Sequence, residues 1–367
     1  MALNTATDPR TVMTLDAGGT NLKFSAIRSN RLLLDEPLYI PSEAHDLERC
    51  LDNITAGFRR VKQLLPQPPA AISFSFPGPA DYPAGIVANE NNLPAFRGGV
   101  ALGPMLEDLF GIPVFINNDG DLFAYGEAIS GFLPYVNGLL AEAGSPKRYR
   151  NLFGITLGTG LGGGIVRDGQ LLIGDNSMAG EVWLSRNKLD PSINAEEGAS
   201  IRAVRRVYAH CAGIAPEEAP EPKLIFDIGM GRAPGHREAA LEAFRSLGEA
   251  AGDVVAQALT LVDGLAVIGG GISAAAPLFM PALMKAVNGV YERDGNPLRR
   301  LIATAFNIDD PAEREIFLKG QARTLTVPRS GRSIQYDPLQ RVAVGLARLD
   351  TSQAVALGAY AFALSKL

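Results

Sequence analysis

Three glycine-rich turns, each following a run of β-like residues, constrain this chain more than anything else in it. They are Asp16-Ala-Gly-Gly-Thr-Asn-Leu-Lys23, Leu157-Gly-Thr-Gly-Leu-Gly-Gly-Gly164 and Gly269-Gly-Gly271. Between the first two stands Asn117-Asn118-Asp119, directly after the apolar run Pro113-Val-Phe-Ile116. One such turn carries little meaning, because glycine also marks ordinary turns and bulges. Three in order, with a carboxylate between them, point to nucleotide phosphates held against a general base, as in a small-molecule kinase.

In the first turn, Gly18 and Gly19 let backbone N–H groups approach phosphate oxygens with no Cβ in the way. Thr20, Asn21 and Lys23 add side-chain donors, and Lys23 adds positive charge. Asp16 ends the strand where it can hold Mg2+, directly or through water. Gly-Gly between two β runs is also a hairpin signal, and both readings can hold at once. The second turn is denser: Gly158, Gly160, Gly162, Gly163 and Gly164 fall within seven positions, interleaved with Thr159 and Leu161. Each glycine costs backbone entropy on folding, so close approach of a ligand accounts for five of them better than a plain turn. A glycine-bulged barrel strand is the alternative.

Phosphoryl transfer to an alcohol needs a carboxylate placed to accept the hydroxyl proton, and Asp119 is the candidate. Asp119 or Asp121 can also cap the helix that follows; we assign Asp121 as the cap and Asp119 as the base. Glu181, in Ala179-Gly-Glu181, and the pair Glu196-Glu197 are further carboxylates in glycine-flanked settings, able to accept from pairs of sugar hydroxyls. Singly, each also reads as a solvated surface acid. His45, His210 and His236 have no metal-ligand or triad context.

Around these motifs the hydrophobic pattern predicts β-strands at 11–15, 22–27 and 32–40, then a helix over 46–65. In that helix Leu47, Leu51, Ile54, Phe58, Val61 and Leu65 recur at three- and four-residue spacing. A buried-type strand at 70–76, a helix near 101–110, a strand at 113–116 and a helix from about 121 to 129 follow. Residues 131–150 read as a loop or helical excursion, and a second strand set runs from 151 to about 173. The remainder is mostly helical: 237–261, a strand at 265–268, a helix at 277–291 and a last helix at 352–366 that packs back on the first lobe. Residues 296–348 break every periodicity. Two β-then-glycine starts about 140 residues apart suggest a duplicated fold with two similar lobes.

Composition narrows the setting. A chain of 367 residues is long enough for two domains with separate cores, and 47% apolar with 20% charged residues is ordinary for a globular protein. A formal net charge of -5 argues against a nucleic-acid or anionic-membrane surface. Cys50 and Cys211 lie far apart with no metal-type spacing, which fits a cytoplasmic protein better than a disulfide-stabilised one. Residues 1–10 lack the apolar stretch of a signal peptide, and no uninterrupted membrane-length apolar run occurs.

Taken together, 16–23, Pro77-Gly-Pro79, Asn92-Leu93, Asn118-Asp119, Gly126-Glu127, Gly158-Thr-Gly160, Ala179-Gly-Glu181, Gly269-Gly-Gly271 and Ala354-Val-Ala-Leu-Gly-Ala359 appear in an order that resembles the ROK family. That family of repressors, open reading frames and sugar kinases lies within the actin-like ATPase and hexokinase superfamily. The resemblance implies an α/β fold of two actin-like (ribonuclease H-like) lobes, 1–120 with 351–367 and 121–350, around a central ligand cleft. It implies ATP and Mg2+ as cofactors, with Gly18, Gly19, Thr20, Asn21, Lys23, Gly158, Thr159 and Gly160 around the phosphates and Gly269, Gly270 and Gly271 near the adenosine. Asn92, Asn118, Asp119, Glu181 and Glu196 or Glu197 would bind a hexose, glucose or a related or N-acetylated one, with Asp119 deprotonating its hydroxyl. A homodimer or homotetramer is the implied assembly.

Two departures stand out. Where many members carry Gly-His after the Glu-hydrophobic pair, this chain has Trp183-Leu184, and Asp190-Pro-Ser-Ile-Asn194 stands where a zinc-binding cysteine cluster is usual. No structural zinc is therefore expected. Because the first turn begins within the first twenty residues, an N-terminal helix-turn-helix and DNA binding are not expected either. The alternative function is a non-catalytic sugar-binding regulator that keeps the cleft.

Overall fold

A computed structural model describes residues 4–17, 20–34, 36–78, 80–88 and 94–367. The chain divides into two compact units: Met1–Gly131 with Gly164–Gly180 and Leu349–Leu367, and Phe132–Gly163 with Glu181–Arg348. This division keeps residues 121–131 and 164–180 with the first unit, where the sequence reading cuts at 120 and 350.

The first unit opens with an antiparallel pair, β1 (Val12–Ala17) and β2 (Asn21–Arg28), registered so that Asp16 faces Lys23 and Val12 faces Ile27. Alternation along the pair sends Met13, Leu15, Leu22, Phe24 and Ala26 into one core with Ile54, Phe58 and Val61. Those last three lie on the apolar face of α1 (Leu47–Leu64), whose start is capped by Asp46 accepting from the Arg49 N–H. The strand predicted over 32–40 is two pieces, β3 (Arg31–Leu32) and β4 (Leu38–Pro41), both paired with β2. Pro37, which has no N–H to offer a ladder, lies between them. Next come β5 (Ala71–Ser75), the short β6 (Ala80–Asp81) and β7 (Ile86–Val87), α2 (Leu102–Phe110), β8 (Val114–Asn117) and α3 (Asp119–Ile129). Parallel pairing of β5 with β1 and of β8 with β5 gives the order β3-β2-β1-β5-β8.

The second unit starts with α4 (Phe132–Glu142) and β9 (Leu152–Leu157); the chain then runs through β10 (Leu161–Arg167), which is grouped with the first unit from Gly164 on, as is β11 (Gln170–Leu171). Helices α5 (Ile201–Ala212), α6 (Pro222–Gly229) and α7 (Arg237–Val262) lead to β12 (Leu265–Gly269) and α8 (Ala276–Val287). That last helix stops four residues short of the predicted 291, because the chain turns at Gly289 into a two-stranded ribbon, β13 (Val290–Arg293) and β14 (Asn296–Arg299). The aperiodic stretch resolves into β15 (Thr304–Asn307), α9 (Pro311–Lys319), a second ribbon β16 (Arg323–Thr326) and β17 (Ser333–Tyr336), and β18 (Arg341–Leu346). The sheet order is β11-β10-β9-β12-β18-β15, with β12 parallel to β9 and β18. Apart from β4 and the added edge strand β15, the order matches the first sheet strand for strand, as a duplicated fold requires.

The final helix, α10 (Thr351–Lys366), belongs to the first unit. Its Leu357, Tyr360, Ala363 and Leu364 cover Val12, Ile27 and Ala71 on the sheet face turned away from α1. Each fully buried large side chain there contributes about 1.5–3 kcal/mol. Against α3 the helix lies backbone to backbone: a Cβ on Gly126 would sit 2.0 Å from the Ala354 carbonyl oxygen, and one on Gly358 would sit 2.0 Å from that of Leu122.

Candidate functional site

In the first unit the register of β1, β5 and β8 aligns Asp16, Ser75 and Asn117 in one row at the carboxyl edge of the parallel strands. That edge is where ligands bind in open α/β sheets. Immediately beyond the row the chain enters α3. The assignment of Asp121 as cap is corrected here: Asn118, in extended conformation, is the N-cap, and its side-chain oxygen accepts the Gly120 N–H at 2.7 Å. The helix therefore starts two residues earlier than its apolar pattern, and Asp121 is buried within its first turn.

Asp119 is the first helical residue, and its Oδ1 also accepts from the Gly120 N–H, at 2.9 Å. Its carboxylate reaches solvent, yet protein packs closely around it. That burial pushes its pKa above the ordinary value of 3.8, the nearby Asp16 carboxylate adds to the rise, and backbone N–H groups oppose it. The two carboxylates thus share one electrostatic environment. Asp16 is exposed at the end of β1 and Lys23 is half-buried opposite it. Thr20 is exposed and its carbonyl accepts from the Ser42 N–H, while Asn21 begins β2 opposite Pro41. Beside this edge opens a cavity of about 570 Å3 lined by Asp16, Lys23, Ser25 and Ser75, with Asp350 and Ser352 at the start of α10. Gly18, Gly19 and Asn92 lie outside the described residues, as do Pro79 and Leu93.

In the second unit Gly158, Thr159 and Gly160 join β9 to β10. The Gly158 carbonyl accepts the N–H of Ile201, the first residue of α5, at 2.9 Å. A helix N-terminus aimed at this turn favours negative charge there. Gly160 has a second requirement: its Cβ would lie 2.5 Å from the Glu196 carboxylate, whose Oε2 accepts the Leu161 N–H at 3.0 Å. The third turn meets the second at the end of β9. Gly270 has φ +89°, its Cβ would fall 2.4 Å from the Leu157 carbonyl oxygen, and Ile272 donates to that same oxygen at 3.0 Å. Gly269 ends β12, and Gly271 faces open space. Gly164 serves packing in the first unit, where its Cβ would come 2.6 Å from the Gly120 carbonyl oxygen.

Of the remaining carboxylates, Glu181 is half-buried and accepts a hydrogen bond from the indole N–H of Trp183. Leu184 is exposed. Glu197 is held by Arg202 and Arg206, and Arg202 first, then Arg206, lowers its pKa. Arg202 was missed in the sequence. It bridges Glu196 and Glu197 and donates to the Thr159 carbonyl. Its sequence signal is an arginine in the first turn of a helix, where the dipole disfavours a cation unless acids nearby receive it. Among the described residues, no three or more His, Cys, Asp or Glu side chains gather to hold a metal ion, and no helix is long and apolar enough to cross a membrane.

Comparison with known proteins adds to this geometry. A model of the ROK family matches residues 12–307. A solved glucokinase structure from Parabacteroides distasonis is 51% identical, superposes with a TM-score of 0.92 and covers 100% of both chains. A glucokinase of Halalkalibacterium halodurans is 30% identical over 46% of this chain and 47% of its own length. An N-acetyl-D-glucosamine kinase of Photobacterium profundum is 29% identical over 51% of this chain and 56% of its own. The chain thus spans about half the length of these two curated relatives. The α/β actin-like fold class expected from the motifs is the one found.

Proposed function

The chain belongs to the ROK family, and from that premise we propose that it is a sugar kinase, transferring the terminal phosphoryl group of ATP to a hydroxyl of glucose or a related or N-acetylated hexose. The observation that carries this reading is Asp119: a solvent-reachable carboxylate with raised pKa, at the start of α3, just past the row of Asp16, Ser75 and Asn117.

Asp119 accepts the proton of the attacking hydroxyl as the new O–P bond forms and the bond to the leaving ADP breaks. Its Gly120 N–H bond fixes the carboxylate's direction, and its raised pKa brings it nearer the pH at which a base transfers protons efficiently. Asn118, Glu181 and Glu196 or Glu197, with Asn92, are the proposed hexose contacts. Thr20, Asn21, Lys23, Thr159 and the glycines of the first two turns hold phosphates through N–H groups and one ammonium, and Gly269 to Gly271 approach the adenosine. Asp16 fits Mg2+: it is exposed at a strand end with no second carboxylate needed, because this ion keeps water and phosphate oxygens as most of its ligands. When bound, the ion neutralises phosphate charge during transfer. The same reading places the enzyme in the cytoplasm, as a dimer or tetramer, with no nucleic-acid partner and no structural zinc.

The test is ADP release from Mg-ATP across hexoses, amino sugars and acetylated sugars, with Asp119→Asn alongside. Sugar-dependent ADP should fall by about 10²–10⁴-fold in the variant with sugar binding retained. An unchanged rate would refute the base assignment, and a flat panel in folded wild-type protein would refute the kinase reading.

A further inference from the structure

The second glycine turn is gripped by two consecutive residues of one helix. Ile201 gives its N–H to the Gly158 carbonyl, and Arg202 reaches the Thr159 carbonyl at 3.3 Å. The same guanidinium bonds Glu196 at 2.8 Å and Glu197 at 2.9 Å. Glu196 in turn holds the Leu161 N–H, on the other side of the turn, so Arg202 and Glu196 brace it from both ends. A carboxylate has about four acceptor positions. The Leu161 N–H and Arg202 use one on each oxygen of Glu196, which leaves room for sugar hydroxyls on the same group.

We propose that Arg202 and Glu196 form a strut through which an occupied sugar site sets the position of the nucleotide-holding turn. The inference rests on the sugar-kinase reading and on Glu196 as a hexose contact. Arg202 is then a positioning residue, acting through Glu196 and the Thr159 carbonyl. A hexose hydroxyl that draws on Glu196 fixes the carboxylate, and the carboxylate fixes Leu161 N–H and, through Arg202, the Thr159 carbonyl. Nucleotide arriving next meets a turn already ordered, and the two ligands bind synergistically. Linkage makes the effect reciprocal.

Calorimetric titration of a non-hydrolysable ATP analogue with Mg2+, with and without saturating glucose or N-acetylglucosamine, reads this coupling. In wild-type protein sugar should tighten the analogue by roughly 5–150-fold, the range of ordinary coupling energies. Arg202→Ala should cut that ratio severalfold, the Glu196 bond to the Leu161 N–H keeping a remnant, while its melting temperature and its sugar affinity in the absence of nucleotide stay near wild type. Arg202→Lys should recover part of the ratio, because an ammonium reaches a carboxylate but cannot bridge three acceptors as a planar fork does. A wild-type ratio of one, or a full ratio in Arg202→Ala, overturns the strut. Sugar-dependent turnover in the same preparations separates the two ideas. Intact turnover with a full ratio in Arg202→Ala removes the strut alone, whereas wild-type protein that binds neither sugar removes the kinase reading with it.

Discussion

Gly358→Ala would add one methyl group at the point where α10 crosses α3. The new Cβ would stand 2.0 Å from the Leu122 carbonyl oxygen, with the Leu122 carbonyl carbon at 2.7 Å. Ordinary contact begins at 3.4 Å, so the helices must separate by about 1.4 Å locally. No rotamer change relieves this, because the obstructing atoms are backbone. Alanine is a better helix former than glycine by about 1 kcal/mol, whereas forcing apart a packed interior costs up to about 3 kcal/mol. The expected net loss is about 2 kcal/mol, read as a lower urea midpoint with unchanged slope by far-ultraviolet circular dichroism. Gly126→Ala meets the Ala354 carbonyl in the same crossing and should cost a similar amount. Because one separation relieves both clashes, the double variant should cost clearly less than the sum of the singles. Since α3 begins at Asp119, the folded variant should also lose up to about 10²-fold in kcat, as a base displaced by an ångström does. A Gly358→Ala protein that is stabilised by the propensity difference, or singles that add fully, would refute the reasoning.

Three further outcomes are expected. The acid limb of kcat/KM should lie above pH 3.8, with activity lost as pH falls through the raised Asp119 value; a limb at or below 3.8 contradicts the assignment. Asp337→Ala strands the fully buried guanidinium of Arg341 and should cost about 3–5 kcal/mol by urea unfolding, much of it recovered when Arg341→Met is added. Burial alone would raise the Asp337 pKa, but Arg341 and the backbone N–H groups of Gln321 and Leu339 outweigh it and hold the value low. The pair's stabilisation is therefore present above the ordinary aspartate range and lost as pH falls through the lowered value. Finally, Ellman's reagent should label exposed Cys211 in the native protein, whereas Cys50, buried with its pKa raised to about 11, should react only on unfolding.

Much of this architecture was legible because its signals are local. The heptad-like spacing from Leu47 to Val61 marked α1 to within a residue at either end, and β-like runs before glycines marked β1, β9 and β12. The proposed site was drawn from the same glycines, but the packing each described one meets was not legible: Gly160 accommodates a carboxylate, Gly270 a carbonyl, and Gly164 a neighbouring helix. Those are tertiary requirements that no spacing expresses. Arg202 escaped for a related reason, since its three partners lie on two separate segments. The 296–348 stretch was opaque because its strands are only four to six residues long and are interrupted by α9, with both ribbons largely solvent-exposed and so without apolar periodicity.

That α10 completes the first unit has a consequence for how the protein is made. Val12, Ile27 and Ala71 leave the ribosome long before the residues that cover them, Leu357 to Leu364. At about 5–20 residues per second, the roughly 230 residues separating Gly131 from that cover take on the order of 10–50 s to synthesise. The second unit has all its segments before Arg348 and can finish first. For those seconds the N-terminal sheet carries an uncovered apolar face, a natural substrate for a holding chaperone. A stop codon in place of Leu349 would therefore leave that face permanently uncovered.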